Sequence, residues 1–159
     1  CAKFRKGHFE GVLMIMNRLL SLIKSKQVFM GEKDFQQYIL VKKILGKKYK
    51  INIIPCPTIR DKNNIALSTR NSLLNKFSIK KASNIATKLI KIKKNLSLIN
   101  LKIPIDLLKI KSDLEATYKV KIDYLEFRDE ENLKLNSFKS KFRLFLAYNL
   151  NNVRLIDNF

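Results

Sequence analysis

A short apolar strand, a helix and a second apolar strand follow one another between residues 27 and 55. That succession restricts the fold more than any other stretch of the chain. Gln27-Val28-Phe29-Met30 is a run closed by Gly31, and Ile51-Asn52-Ile53-Ile54 is a largely apolar run ending at Pro55. Between them Phe35, Tyr38, Ile39, Val41 and Leu45 recur at helical spacing over 34–45, with Gly46 and the lysines after it expected to stop the helix. Continuous apolar strands flanking a helix are the signature of a βαβ unit in a parallel sheet covered on both faces. Two parallel strands are too few to stand alone, so further strands are expected upstream of Cys1.

Around this unit the pattern is simpler. Residues 9–25 place Val12, Leu13, Ile15, Met16, Leu19, Leu20, Leu22 and Ile23 on one broad helical face. After Pro57 the character changes. Thr58 to Leu67 is polar and turn-rich, a linker or site loop. Ser78 is expected to cap a helix over 79–93, and Asn95 to Leu101 to be a loop. Pro104 suits the first turn of a helix running to about Tyr118. Strands are expected at Val120 to Phe127, Phe142 to Tyr148 and Val153 to Ile156, the last two joined by the Asn149–Asn152 turn. The fold class is therefore α/β: a remnant of a Rossmann-like parallel sheet over residues 1–60, then a small α+β domain with an antiparallel sheet over 61–159.

The chain has 159 residues, 33 Lys plus Arg against 13 acids, and a formal charge of +20. Its 46% hydrophobic content excludes an intrinsically disordered chain. The excess charge lies upstream of the final sheet: residues 113–159 hold 8 basic and 8 acidic side chains. Lysine supplies 26 of the cations and arginine only 7, beside 19 Ile and 15 Asn, the residues that AT-rich codons specify. A nucleic-acid surface is expected to use more arginine, so no nucleic-acid partner is inferred from charge. Cys1 and Cys56 fit neither a disulfide framework nor, with a single histidine, a zinc module. No apolar run reaches the roughly 18 residues of a membrane span. No membrane partner and a cytoplasmic location are the expectation.

Three stretches carry candidate chemistry. Gly31-Glu32-Lys33-Asp34-Phe35-Gln36-Gln37 lies where a strand ends and a helix begins, the position at which parallel sheets bind anions. Gly31 would admit close approach and Lys33 would bring positive charge. Asp34 and Gln37 also have the spacing of a capping box, and spacing alone leaves both readings open. Leu67-Ser68-Thr69-Arg70-Asn71 sets two hydroxyls and a guanidinium in sequence, suited to a polyphosphate or to an ordinary cap followed by an exposed arginine. Arg5 and His8 stand just before the first helix, where a histidine is more often a turn element than a base. The lysines around 88–94 read as the solvated face of a helix.

Together these stretches resemble pantothenate synthetase. The matching text is Arg5-Lys6-Gly7-His8-Phe9-Glu10-Gly11-Val12, then Phe29 to Gln37, Pro57-Thr58-Ile59-Arg60-Asp61, Ala66 to Asn71, and Val153-Arg154-Leu155-Ile156-Asp157-Asn158. The resemblance implies an ATP-dependent ligase that joins pantoate to β-alanine through pantoyl adenylate, with Mg²⁺. It implies that Gly31, Glu32 and Asp34 meet the nucleotide, Gly31 and Asp34 at the ribose, and that Lys33 meets the phosphates. Gln37 would bind pantoate, and the Ile59 backbone would face the adenine. Leu67, Ser68, Thr69 and Arg70 would form a second phosphate-binding element. Lys33, Ser68, Thr69 and Arg70 are the implied catalytic residues, with Arg5 and His8 near the site and no protein-held metal. The family is usually a homodimer.

The family's His-x-Gly-His motif has no counterpart here, and Thr69 stands where serine is usual. The chain is therefore expected to be the carboxy-terminal part of such an enzyme, with Cys1 marking a cut, and to be inactive alone. A basic nucleic-acid-binding module and a retained interaction domain are the alternatives.

Overall fold

In a computed structural model, residues 4–98, 105–135 and 141–159 are described. The chain divides into two compact units, Cys1–Thr58 and Ile59–Phe159, each taken by itself below.

The first unit contains helix α1 (His8–Leu22), strand β1 (Gln27–Gly31), a 3-10 turn (Glu32–Asp34), helix α2 (Phe35–Val41), a π-turn (Lys42–Gly46), the short helix α3 (Lys47–Tyr49) and strand β2 (Asn52–Cys56). β1 and β2 pair in parallel, from Gln27 opposite Asn52 to Gly31 opposite Cys56, so the βαβ unit forms. α2 packs on both strands and buries Phe35, Tyr38, Ile39 and Val41. The strands are not covered on both faces, however. Val28 and Met30 are half-buried, whereas Phe29 is 65% exposed, because only alternate residues of a strand reach the helix that covers it. α1 divides in the same way. Leu20 is buried, while Ile15, Leu19, Leu22 and Ile23 are exposed.

At α2 one open reading is decided and one expectation fails. Asp34 precedes the helix but makes no side-chain cap bond, so the capping box is absent. Gly46 does not end the helical run, which continues through Tyr49. The stop is Lys50 in the left-handed region at φ 52°, with Ile51 N–H donating to Gly46 O at 3.0 Å and Lys50 N–H to Lys47 O at 3.4 Å. That pattern closes the last carbonyls as a Schellman turn does. A Cβ on Gly46 would meet Ile51 O and Ile53 Cγ1 at 3.4 Å, close to ordinary van der Waals contact.

The second unit places α4 (Lys76–Leu98) and α5 (Leu107–Tyr118) with an antiparallel sheet of β3 (Lys121–Asp129), β4 (Phe142–Leu150) and β5 (Val153–Asn158), in the order β3-β4-β5. The core joins Ile85 and Leu89 of α4 and Leu114 of α5 to Ile122, Phe127, Leu144, Leu146 and Leu150 of the sheet. A bulge between Ile122 and Tyr124 shifts the phase of β3, which lets Ile122 and Leu125, three residues apart, both join the core. Asn151 and Asn152, at φ 48° and 62°, form the two-residue turn from β4 to β5, where positive φ at both central positions matches strand twist.

Helix ends differ from expectation. Asn75, not Ser78, caps α4: its Oδ1 accepts from Ser78 N–H at 2.9 Å. Ser78 lies inside the helix, 1% exposed, and its Oγ accepts from Asn151 Nδ2 at 2.7 Å. α4 also runs through Asn95 to Leu98, where a loop was expected; residues 99–101 of that expectation lie outside the described residues. α5 starts at Leu107, with Asp106 Oδ1 accepting from Lys109 N–H at 2.9 Å; Pro104 is likewise outside the described residues. Caps shift because a side-chain acceptor is needed where the chain turns, and several residues near each boundary qualify by type.

Candidate functional site

The candidate residues fall on both units. In the first, β1 delivers the chain to Gly31 at φ −65° and ψ 130°, a conformation open to any residue. A Cβ on Gly31 would meet nothing within 4 Å, so the end of the strand is open. The 3-10 turn then sets Lys33 Nζ 3.7 Å from Asp34 Oδ2, with the Lys33 side chain 21% and the Asp34 side chain 47% exposed. Since Asp34 caps nothing, its carboxylate is presented beside a cation at the carboxyl end of a parallel strand. Gln37 follows on α2, half-buried.

Arg5 and His8 are coupled to each other: the Arg5 guanidinium donates to His8 Nε2 at 2.9 Å. Nε2 is thus an acceptor, and the neutral ring carries its proton on Nδ1. The His8 ring lies 5.3 Å from that of Phe9. Gly7, at φ 76°, makes the left-handed turn into α1 that a side chain would strain.

The second unit presents residues 59–71 as an ordered loop rather than a linker. Ile59 O accepts from Leu67 N–H at 2.9 Å, and Arg60 bridges Ala66 in antiparallel fashion. Inside this closure Asp61 Oδ1 accepts from Asn63 N–H at 2.8 Å and Ile65 N–H at 2.9 Å, and Asn64 takes φ 64°. The polar composition that suggested flexibility is therefore spent on local backbone bonds. Ile59 and Leu67 remain exposed apolar side chains.

Ser68 is extended, and its Oγ accepts from Arg70 N–H at 3.2 Å, capping the 3-10 turn Thr69–Leu73. The cap reading of Ser68 is thus realised, and the hydroxyl proton remains a donor. Thr69 and Arg70 are exposed; Arg70 Nη1 donates to Arg154 O on β5 at 3.2 Å, and Asn71 Nδ2 to Ala66 O at 3.0 Å. Two hydroxyls and one guanidinium therefore lie together on one turn, a donor set suited to phosphate oxygens.

Sequence reasoning singled out no role for Arg60 or Asp157. Arg60 forms a fork with Asp157, at 2.7 Å and 2.9 Å, across 97 residues of chain. No spacing rule links positions so far apart. The lysines at 88–94 also contain an exception to a solvated face: Lys93 Nζ donates to Phe142 O at 2.8 Å and lies 3.7 Å from the centre of the Phe142 ring. Burial lowers its pKa from the ordinary lysine value, with nearby Glu130 opposing that shift. Cys56 is a free thiol, half-buried on β2. Among the described residues no group of three His, Cys, Asp or Glu could hold a metal ion, and no helix is long and apolar enough to cross a membrane.

Comparison with known proteins gives a consistent result. The family model described as pantoate-beta-alanine ligase matches residues 1–159. The pantothenate synthetase of Leptospira interrogans serovar copenhageni is 35% identical over 161 residues, covering 99% of this chain and 56% of that protein. A bifunctional pantoate ligase/cytidylate kinase of Prochlorococcus marinus is 36% identical over 161 residues, covering 99% of this chain and 31% of its own. Among solved structures, the pantothenate synthetase of Thermus thermophilus superposes with a TM-score of 0.89 at 28% identity, covering 99% of this chain and 58% of that one. The Francisella tularensis pantoate-beta-alanine ligase, complexed with beta-gamma ATP and beta-alanine, superposes with a TM-score of 0.74 at 32% identity, over 99% and 52% of the two chains. The chain thus spans little more than half the length of most of these relatives.

Proposed function

The chain belongs to the pantoate-beta-alanine ligase family, and from that premise we propose that it serves the ATP-dependent condensation of pantoate with β-alanine. The pantoate carboxylate attacks the α-phosphorus of ATP, giving pantoyl adenylate and pyrophosphate. The β-alanine amine then attacks the acyl carbon, and AMP leaves as the amide forms. Mg²⁺ would enter with the phosphates of the nucleotide substrate.

Gly31, Glu32 and Asp34 are proposed to hold the nucleotide, with Gly31 and Asp34 at the ribose, and Lys33 to meet its phosphates. Gln37 would hydrogen-bond pantoate. In the second unit the Ile59 backbone would face the adenine, while Leu67, Ser68, Thr69 and Arg70 would form a phosphate-binding element that neutralises charge developing on the transferring phosphorus. Arg5 and His8 bond to one another and are assigned a peripheral role. The observation that carries this reading is the Lys33–Asp34 pair at the open end of β1, with a carboxylate that no cap consumes. The complete protein is proposed to be a homodimer.

We propose that the 159 residues alone do not complete the reaction, since the family's His-x-Gly-His element is not among them. The test joins this chain behind the amino-terminal part of the Leptospira relative and follows AMP release with ATP, Mg²⁺, pantoate and β-alanine. AMP is expected from the fusion, not from the chain alone, and is expected to be lost in Lys33→Ala and Arg70→Ala fusions. An active fusion indifferent to both substitutions would overturn the assignment of these residues.

A further inference from the structure

The loop bearing Ile59 and the Leu67–Arg70 element is tied to β5 and the residue after it. Arg60 Nη1 and Nη2 donate to Asp157 Oδ2 at 2.7 Å and Oδ1 at 2.9 Å, and Nη2 also donates to Asn158 O at 3.1 Å. The Arg60 guanidinium lies 4.7 Å from the centre of the Phe159 ring. Its Nη1 reaches back to Asn64 O at 2.9 Å, so one guanidinium joins the loop tip to the sheet. Further along, Arg70 Nη1 bonds Arg154 O at 3.2 Å.

The Asp157 side chain is 9% exposed and that of Arg60 20%, so the pair is largely withdrawn from water. A planar fork on a buried carboxylate fixes both distance and orientation, which a single bond cannot. Asp157 and Asn158 are in turn held by the sheet: Leu146 pairs with Asp157, Phe145 with Asn158, and Arg143 Nη1 donates to Asn158 Oδ1 at 2.9 Å.

Resting on the ligase reading, we infer that Arg60 and Asp157 are positioning residues that hold the Ile59 backbone and the Ser68-Thr69-Arg70 turn in the arrangement that receives the nucleotide. Neither touches the reacting atoms. Their effect reaches the nucleotide through the closure of residues 59–67, where Leu67 N–H meets Ile59 O, and through Ser68 directly after it.

Amide hydrogen exchange on the full 159-residue chain tests this. The variants are Asp157→Asn, Arg60→Lys, and the doubly neutral Arg60→Gln/Asp157→Asn, which leaves no buried charge unpaired if a single variant fails to fold. Exchange at Asn64, Ile65 and Leu67 is expected to accelerate by about tenfold in Asp157→Asn, while Leu146 and Leu155 in the sheet keep their wild-type rates. Arg60→Lys, which keeps the charge but loses the fork, is expected to fall between. Loop amides unchanged within about twofold, or loop and sheet amides accelerating together, would overturn the inference. Addition of MgATP separates the two readings. Slowing of the loop amides in wild type, lost in Asp157→Asn, supports both. No slowing in wild type counts against nucleotide contact by this loop, while the exchange rates without nucleotide still judge the clamp.

Discussion

Asn151 Nδ2 donates to Ser78 Oγ at 2.7 Å, tying the tip of the β4–β5 hairpin to the first turn of α4. Ser78 is thereby a tertiary contact, and Asn75 does the capping. The two roles separate experimentally. Ser78→Ala is expected to destabilise the chain by about 1 kcal/mol through the lost side-chain bond. Asn75→Ala is expected to cost about 1 kcal/mol through the lost cap. Urea unfolding with Asn151→Gly added, which keeps the positive φ of the turn, distinguishes them: that change adds little to Ser78→Ala and its full cost to Asn75→Ala.

Leu89 is fully buried between α4 and the sheet, whereas Phe77, near the start of the same helix, is 81% exposed. Leu89→Ala is expected to cost about 2–5 kcal/mol by leaving a cavity. Phe77→Ala is expected to stay within about 0.5 kcal/mol. Similar costs for both would mean that α4 presents a different face to the sheet.

Asp34 gives a test of cap against ligand. As it makes no cap bond, Asp34→Ala is expected to change stability by less than about 0.5 kcal/mol, below the cost of removing a working N-cap. In the fusion with the Leptospira relative's amino-terminal part, the same substitution is expected to lower AMP release. A stability loss of about 1 kcal/mol or more with AMP release unchanged would return Asp34 to a structural role.

Alkaline pH acts on the sheet. Burial raises the pKa of Tyr148 well above the usual tyrosine value, with the Asp157 carboxylate adding to the rise. Burial likewise raises that of Tyr124, and neighbouring Arg154 opposes it. The native state then keeps protons that the unfolded chain releases near pH 10, so stability is full below about pH 10 and falls as pH rises further. Lys93 acts in the opposite sense: its lowered native pKa costs stability at lower pH, a cost relieved as pH approaches the ordinary lysine value. Denaturant midpoints measured from about pH 8 to about pH 11.5, with Tyr148→Phe as comparison, are expected to show a shallower alkaline decline in the variant. Equal slopes would remove Tyr148 as the cause.

Much of the architecture was legible because it is written in short periods. Alternation and apolar runs placed β1 to β5, and the asparagines at 151 and 152 supplied the positive-φ turn of a hairpin. The helices were legible as bodies and not at their ends, since Asn75, Ser78, Asp106 and Asp34 are all cap-competent by type and only geometry selects among them. The Gly31–Gln37 and Leu67–Asn71 candidate elements were singled out from neighbouring residue types. For the Asp61 loop residue types left a linker and a site loop both open, because only the fold shows its polar groups bonding inward.

Sequence alone determined the order of elements, the βαβ unit followed by an antiparallel sheet, and the family. Each depends on hydrophobic spacing or residue order over short stretches, which local backbone geometry translates directly into structure. Tertiary structure decided which polar groups are partners. Arg60 meets Asp157 across 97 residues, Asn151 meets Ser78 across 73, and Lys93 meets Phe142 across 49. Such pairs form only after strands and helices have chosen neighbours, and the demand that buried polar groups find partners is met wherever packing brings them together.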